Sequence, residues 1–211
     1  KIIGSDPGVT AAYNGGTHMP FEDMGILRCI PEITLVEPAD GVQLASIVRQ
    51  LPSIYGVHYI RLMRKLATGV YEPGSEFEIG KGVLLRPGKD VTIIASGIMV
   101  AEALKAAAAL ANEDIDARVI NIFTWKPIDE EIIAAAANET GALVTCENHN
   151  IIGGLGSAVA EVLVSVCPKP LERVGINDEF GEVGTEAWLR EHFNLTAEAI
   201  AAAAKKAIAR K

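Results

Sequence analysis

The sequence has few aromatic residues and no excess of positive charge. Phenylalanine, tyrosine and tryptophan make up 5% of its 211 residues, and 19 basic side chains stand against 27 acidic ones. The net charge of -8 disfavours binding to a nucleic-acid backbone or to an anionic membrane, because both need a basic surface. Nucleic-acid and membrane partners are therefore not expected, and the composition is typical of α/β enzymes.

The sequence also lacks long apolar runs and a cysteine framework. No stretch approaches the ~18 consecutive apolar residues of a membrane span, and no signal peptide opens the chain. Cys29, Cys146 and Cys167 are odd in number and widely spaced, which favours reduced thiols over disulfides. We therefore expect a cytoplasmic protein. No two histidines or cysteines fall at ligand spacing, so no metal site is predicted.

Short β-rich runs alternate with helical patterns along the chain. The runs are "KIIGS", "ITLVE" and "HYIRLM" early on, and "DVTIIAS", "DARVINI", "GALVTCE" and "LERVGI" later. Strands that alternate with helices of about ten or more residues predict βαβ units and a mostly parallel sheet. The opening run looks like a core strand, so we expect an N-terminal portion to be absent.

The periodicity lapses between the two alternating regions. Pro73-Gly74 and Pro87-Gly88 in this stretch are typical of turns. We therefore predict an α/β domain over residues 1–70, a linker over 71–89 that ends in a hairpin, and a second α/β domain over 90–211. A closing helix is predicted after Thr196, which has the chemistry of an N-cap.

The stretch "NGGTH" ends at His18 and precedes a predicted helix from Pro20 to Arg28. The glycine pair permits a tight turn, and Pro20 suits the first turn of a helix. An imidazole at a helix N-terminus is favoured in its neutral form, which can donate or accept a hydrogen bond. From the residues alone, a structural histidine fits as well as a functional one.

Two motifs of the second half follow one another. "ENHN" ends a predicted strand, where open α/β sheets place ligand-facing residues, so Glu147, His149 and Asn150 are candidates for an interface or a site. "GGLGSA" then opens a helix, but a dinucleotide fingerprint needs glycine or alanine at Val159. Close packing is favoured over NAD binding, and Gly154 marks a helix start able at most to hold an anion.

The run "HYIRLMR" places Arg61 and Arg64 on or just after a strand. Side chains alternate along a regular strand, so these two arginines are expected to point to opposite faces. One is then free to bind an anion while the other is solvated.

Longer stretches carry a resemblance to a known family. "GSDPGVTAAYNGGTHMPFEDMGILRCIPEITLVEPAD" resembles the latter part of the pyrimidine-binding domain of transketolases. "EFEIGKGVLLRPGKDVTIIASGIMVAEAL", "ARVINIFTWKPIDEE" and "ENHNIIGGLGSAVAE" resemble the C-terminal subunit of split, two-gene transketolases. The resemblance covers essentially the whole chain. It implies an incomplete pyrimidine-binding domain followed by a transketolase C-terminal α/β domain.

The resemblance implies thiamine diphosphate as cofactor and transfer of a two-carbon glycolaldehyde unit from a ketose to an aldose, as in pentose phosphate metabolism. His18 matches the family's active-site histidine, and Arg64 matches the arginine that binds the acceptor phosphate. The glutamate that activates the cofactor belongs to the part of the domain before Lys1. The diphosphate, with its Mg²⁺ or Ca²⁺, is held by an N-terminal partner subunit. A dimer of heterodimers is implied, and this chain alone is expected to be inactive.

Three residues depart from the family's pattern. Asp6 stands where the family has a phosphate-binding histidine, Asn14 replaces a substrate-binding aspartate, and Met19 replaces a glutamine. A carboxylate ~5 Å from a phosphate costs about 3 kcal/mol per unit charge at an effective dielectric near 20. We therefore expect an acceptor other than a standard pentose phosphate, or a phosphate bound elsewhere.

Other interpretations stay open. The β-subunit of a 2-oxo acid dehydrogenase shares the architecture and cofactor, but "GGTH" is not expected in its active-site loop. A 1-deoxyxylulose-5-phosphate synthase is closer, although its run after the equivalent strand differs from "RLMRK". A non-catalytic assembly or regulatory module is the alternative from another class. Turnover with the partner subunit and thiamine diphosphate distinguishes the enzyme from the module.

Overall fold

A computed structural model of the protein describes residues 1–65 and 67–211; Leu66, within the first predicted domain, lies outside the described residues. Two sheets organise the molecule, with strands in the order β1-β3-β2-β7 and β4-β6-β5-β8-β9. The strands are β1 Ile2–Ser5, β2 Thr34–Val36, β3 His58–Leu62, β4 Val83–Arg86, β5 Val91–Ala95, β6 Ala117–Asn121, β7 Thr124–Lys126, β8 Leu143–Asn150 and β9 Leu171–Ile176. The helices are α1 Asp23–Arg28, α2 Gly41–Gln50, α3 Met99–Ala111, α4 Glu130–Thr140, α5 Leu155–Val166, α6 Glu186–His192 and α7 Ala197–Ile208.

The second sheet confirms the predicted α/β class. Its strands β6, β5, β8 and β9 run parallel, and β4 is antiparallel at one edge. Helices α3 and α7 pack on one face, while α4 and α5 pack on the other. The central strands β5 and β8 are buried along their whole length, as parallel strands covered on both faces require.

The first sheet is smaller and is joined to the second half of the chain. Strands β1, β3 and β2 are parallel, and β7 pairs antiparallel with β2. Because β7 follows β6 in the chain, the polypeptide of the second sheet also completes the first one. The division into 1–70, 71–89 and 90–211 therefore stays a prediction, and the two units share backbone hydrogen bonds.

Side-chain caps fix where several helices begin. Asp40 accepts a hydrogen bond from Gln43 N at α2, and Asp129 accepts one from Ile132 N at α4. Thr196 accepts one from Ala199 N at α7, which confirms the predicted start of the closing helix. Each of these oxygens satisfies a backbone N–H that has no partner within its helix.

Several local predictions are wrong. The first helix begins at Asp23 rather than Pro20, because residues 16–18 form a separate 3₁₀ turn that ends at His18. Strand β1 is an exposed edge, with Ile2 and Ile3 more than half exposed, rather than a core strand. The hairpin at the end of the linker does not form, since β4 pairs with β6 instead of β5. Strand β7 and helix α6 were not predicted.

Within the described ranges, no helix is both long and apolar enough to cross a membrane.

Candidate functional site

A cleft of about 310 Å³ lies where the two sheets meet. Its lining residues follow the carboxyl ends of five strands: Pro7 after β1, Glu37 after β2, Arg64 after β3, Gly97 after β5 and Asn148 near the end of β8. Ligands of parallel α/β sheets bind at this end of the strands. The cleft is therefore the candidate site of the molecule.

Arg64 lines this cleft and pairs with Asp6, which lies directly before the lining residue Pro7. The carboxylate of Asp6 forms an ion pair with Arg64 Nε and also accepts a hydrogen bond of 2.9 Å from Arg64 N. The Arg64 side chain is 67% exposed, whereas that of Asp6 is 7% exposed. Asp6 has a φ of 55°, a left-handed conformation that aspartate tolerates better than most residues. The fold thus joins two of the predicted site residues into one pair with a solvent-facing guanidinium.

Asn14 and His18 lie on an exposed turn next to the loop that follows β9. His18 is not at the head of a helix, as predicted, but closes the 3₁₀ turn, where Thr17 Oγ1 lies 2.9 Å from its Nδ1. Gly16 has to be glycine, because a Cβ there would lie 2.4 Å from Gly181 O. Neither Asn14 nor His18 is among the described residues that line the cleft.

Arg61 does not bind an anion from solvent and is not solvated, because it is fully buried at the bottom of the cleft. Its Nε donates to Asp23 at 3.0 and 3.1 Å, and its Nη1 forms an ion pair with Glu37. Its Nη2 donates to Pro20 O at 3.2 Å and to Asn148 O at 2.9 Å. The guanidinium therefore links the carboxyl ends of both sheets to the loop before α1.

The buried positive charge of Arg61 is compensated by the carboxylates around it. Burial alone lowers the pKa of Arg61, but the carboxylates of Asp23 and Glu37 raise it above its usual value. Burial raises the pKa of Asp23, yet the charge of Arg61 and the hydrogen bonds from Tyr59 and Arg61 bring it below its usual value. Ser96 Oγ donates to Glu37 Oε2 at 2.5 Å. Arg61 and Asp23 thus stay charged at neutral pH.

The helix start at Gly154, a candidate for holding an anion, is occupied by a carboxyl group of the chain itself. The side chain of Glu147 accepts hydrogen bonds from Leu155 N at 2.6 Å and from Gly156 N at 2.9 Å, and it thereby occupies the start of α5. A Cβ on Gly154 would lie 1.9 Å from Glu147 Oε2, so this carboxyl group also explains the glycine. Burial raises the pKa of Glu147 to about 8, although the two backbone hydrogen bonds lower it.

His149 and Asn150 hold neighbouring backbone groups rather than line the cleft. Gly25 N donates to His149 Nε2 at 3.2 Å, so the proton is on Nδ1, which donates to Asn150 O at 2.7 Å. Burial, with the charge of Arg61, lowers the pKa of His149 to about 4, and the ring is neutral at pH 7. Asn150 Nδ2 donates to Asp178 at 3.3 Å. An interface role for these residues stays a prediction.

Sequence reasoning missed Glu37, Asp23 and Asn148. Glu37 and Asn148 are almost fully buried, and Asn148 contacts the backbone of residues 7–9. The sequence signal for Glu37 and Asn148 was their position at strand ends, because "ENHN" was already identified as the end of a strand. Which strand end faces which loop depends on contacts between distant parts of the chain.

Comparison with known proteins gives a consistent result. Residues 80–200 match the family described as transketolase, C-terminal domain. A 6-deoxy-6-sulfo-D-fructose transketolase subunit of Clostridium sp. is 53% identical over 211 residues, covering 100% of this chain and 66% of that protein. A 1-deoxy-D-xylulose-5-phosphate synthase of Heliobacterium modesticaldum is 38% identical over 208 residues, covering 97% of this chain and 32% of that enzyme.

A solved structure agrees with these relatives. A split gene transketolase, described as an inactive β4 tetramer, is 42% identical with a TM-score of 0.91, over 100% of this chain and 66% of its own. The chain spans 66%, 64% and 61% of the lengths of three curated relatives. Since the family match covers more than half of its residues, the chain belongs to the transketolase C-terminal domain family.

Proposed function

We propose that this chain is part of the C-terminal subunit of a split transketolase, which transfers a two-carbon glycolaldehyde unit from a ketose to an aldose. The observation that carries the proposal is the Asp6–Arg64 pair, which presents a solvent-facing cation at a cleft at the carboxyl ends of the strands. The family membership supports the reaction class. We place the subunit in a cytoplasmic dimer of heterodimers with an N-terminal partner subunit.

The residues of this chain fit the sugar end of such a site better than the cofactor end. Arg64 binds the anionic group of the sugar, and the exposed His18 and Asn14 hydrogen-bond its hydroxyl groups. Thiamine diphosphate, when bound, supplies the nucleophilic carbon for the transfer. Among the described residues, no three His, Cys, Asp or Glu side chains are grouped to hold a metal ion. We therefore assign the diphosphate and its Mg²⁺ or Ca²⁺ to the partner subunit.

The anionic group of the sugar is, in this proposal, a sulfonate rather than a phosphate. Asp6 already compensates part of the charge of Arg64, and each unit of ligand charge ~5 Å from that carboxylate costs about 3 kcal/mol at an effective dielectric near 20. A sulfonate carries one negative charge, whereas a phosphate monoester carries about 1.5 to 2 at pH 7. The relative that is a 6-deoxy-6-sulfo-D-fructose transketolase subunit supports this choice.

Kinetics of the complete two-subunit enzyme with thiamine diphosphate test the proposal. We expect kcat/KM to favour 6-deoxy-6-sulfofructose over fructose 6-phosphate, and Asp6→His to reduce that preference by about tenfold or more. Asp114→His is the matched control, because Asp114 is exposed and shares the left-handed φ, 59° against 55° for Asp6. If the wild type turns over fructose 6-phosphate efficiently and Asp6→His does not improve this turnover, the proposal that the sugar carries a sulfonate is contradicted.

A non-catalytic assembly module is the second candidate. The solved relative described as a split gene transketolase, inactive β4 tetramer, favours it, because that assembly is inactive. A stable complex with the N-terminal subunit that turns over no ketose would support the module. Formation of 1-deoxyxylulose 5-phosphate from pyruvate and glyceraldehyde 3-phosphate would instead support the synthase.

A further inference from the structure

The side chain of Asn148 joins the second sheet to the loop that carries Asp6. Its Nδ2 donates to Pro7 O at 3.0 Å, and its Oδ1 accepts a hydrogen bond from Val9 N at 3.0 Å. Asn148 is 1% exposed. One amide therefore satisfies two backbone groups on either side of Gly8 by reciprocal hydrogen bonds, and neither group can turn without losing a buried partner.

Gly8 is the residue that permits this arrangement. Its φ is 57°, and a Cβ at this position would lie 2.2 Å from Asn148 Oδ1. Pro7 has φ fixed by its ring, so the backbone between Asp6 and Gly8 has little freedom once Pro7 O is held. The Asn148 amide thus helps to fix the backbone that follows Asp6, together with Thr10 Oγ1, which donates to Pro7 O at 2.6 Å.

Asn148 also contacts the strand that precedes Arg64. Its main-chain carbonyl oxygen accepts a hydrogen bond of 2.9 Å from Arg61 Nη2, and Arg61 lies in β3, three residues before Arg64. Asp6 N donates to Leu62 O at 2.8 Å, and Arg64 N donates to the Asp6 carboxylate. Asn148 therefore holds the loop after Asp6 through its side chain, and its main-chain carbonyl contacts the side chain of Arg61.

We infer that Asn148 is a positioning residue for the anionic end of the sugar, which acts through Pro7 and Val9 on Asp6 and Arg64. The inference rests on the proposed function, because that function makes Arg64 the anion-binding group. The second α/β unit then has a role in substrate recognition in addition to packing. Asn148 itself lines the cleft. In this inference it makes no contact with the sugar and affects sugar binding only through the residues that it holds.

A measurement of anion binding by the whole chain tests the positioning role of Asn148 without an assay of turnover. Methanesulfonate is titrated into wild-type protein and Asn148→Ala, and the Arg64 amide is followed by nuclear magnetic resonance. We expect the wild type to saturate, and Asn148→Ala to raise the Kd by about tenfold. Thr145→Val is the control, since Thr145 is buried in the same strand with no hydrogen-bond partner for its hydroxyl among the described residues.

Gly8→Ala provides an independent variant if Asn148→Ala fails to fold. A methyl group there meets the Asn148 amide, so the same rise in Kd is expected. Gly141→Ala controls for backbone strain, because Gly141 has a φ of 72° and an added Cβ would meet only the end of Lys211 at 3.6 Å. Unchanged Kd values in Asn148→Ala and Gly8→Ala overturn the inference.

Kinetics of the two-subunit enzyme separate this inference from the proposed function. With Asn148→Ala we expect KM to rise for a sulfonated ketose but not for a ketose without an anionic group, with kcat nearly unchanged. Equal losses for both ketoses indicate a general structural role and overturn the inference. Methanesulfonate binding that depends on Asn148, in an enzyme that turns over no ketose, contradicts the proposed function alone.

Discussion

Arg61 and Arg64 lie three residues apart at the end of one strand, and each forms an ion pair with a carboxylate, yet their surroundings are opposite. Arg61 is fully buried, and its donors go to Asp23, Glu37 and two backbone carbonyl groups. The Arg64 side chain is 67% exposed. A guanidinium has five N–H donors, so burial requires that they are all satisfied inside the protein, whereas exposure leaves donors for a ligand. Environment, rather than residue type, separates the buried, structural Arg61 from Arg64, for which we propose anion binding.

The largest expected effect is on stability at Arg61. Arg61→Met leaves Asp23 and Glu37 in the interior without their cation, and breaking such a pair lowers the free energy of unfolding by about 3–5 kcal/mol. Urea unfolding at pH 7 measures this. Arg64→Met is the matched variant, and a loss below about 1 kcal/mol is expected because the guanidinium is exposed and Asp6 keeps its hydrogen bond from Arg64 N.

A second substitution identifies the cause. Adding Glu37→Gln to Arg61→Met removes one of the uncompensated charges, so part of the stability should return. Equal losses for Arg61→Met and Arg64→Met, or no recovery in the double variant, would mean that the buried charges do not distinguish the two arginines.

The next effect concerns the pH dependence of stability, because the buried ring of His149 lies close to Arg61. Between the usual pKa near 6.5 and the folded value of about 4, His149 binds a proton in the unfolded chain but not in the folded one, so stability falls as the pH drops. This shift is equivalent to about 3 kcal/mol. Asp23, Arg61 and Glu147 are the charged or titratable groups nearby.

Unfolding curves of wild type and His149→Gln at pH 7 and pH 4 test the expectation. The variant cannot titrate at this position, so its stability should decrease less than that of the wild type. Arg64→Met, by contrast, should show the same pH dependence as the wild type. Parallel loss in the wild type and His149→Gln would assign the acid sensitivity to other groups.

The strands and helices that were predicted for the second α/β unit lie within a few residues of the observed ones, although β7 and α6 were not among them. Its strands are apolar runs, and α4 and α7 begin at side-chain caps, so nearby residues determine these elements. Strand β7 has three residues and pairs with β2, far away in the chain, which no local pattern indicates. The Pro87-Gly88 turn was recognised, but a turn does not determine that β4 pairs with β6.

The site was less accessible to sequence reasoning. Asp6 and Arg64 were identified by family resemblance, and nothing local shows that they form a pair. Asn148 was missed because its partners Val9 and Pro7 lie 139 and 141 residues away. Alternation along a strand did not decide the orientation of Arg64, since β3 ends at Leu62.

The smallest expected effect on stability is that of Asp6→Asn. The amide oxygen can still accept from Arg64 N, and asparagine tolerates the left-handed φ of 55°, so the free energy of unfolding should change by less than about 1 kcal/mol. Methanesulfonate should nevertheless bind more tightly, because a negative charge is removed beside the guanidinium. Titrations at low and high salt measure this, and the gain should shrink as salt screens the exposed site. If neither the affinity for methanesulfonate nor its salt dependence changes, Arg64 does not bind the anion. The proposed difference in anion binding between Arg64 and Arg61 is then wrong.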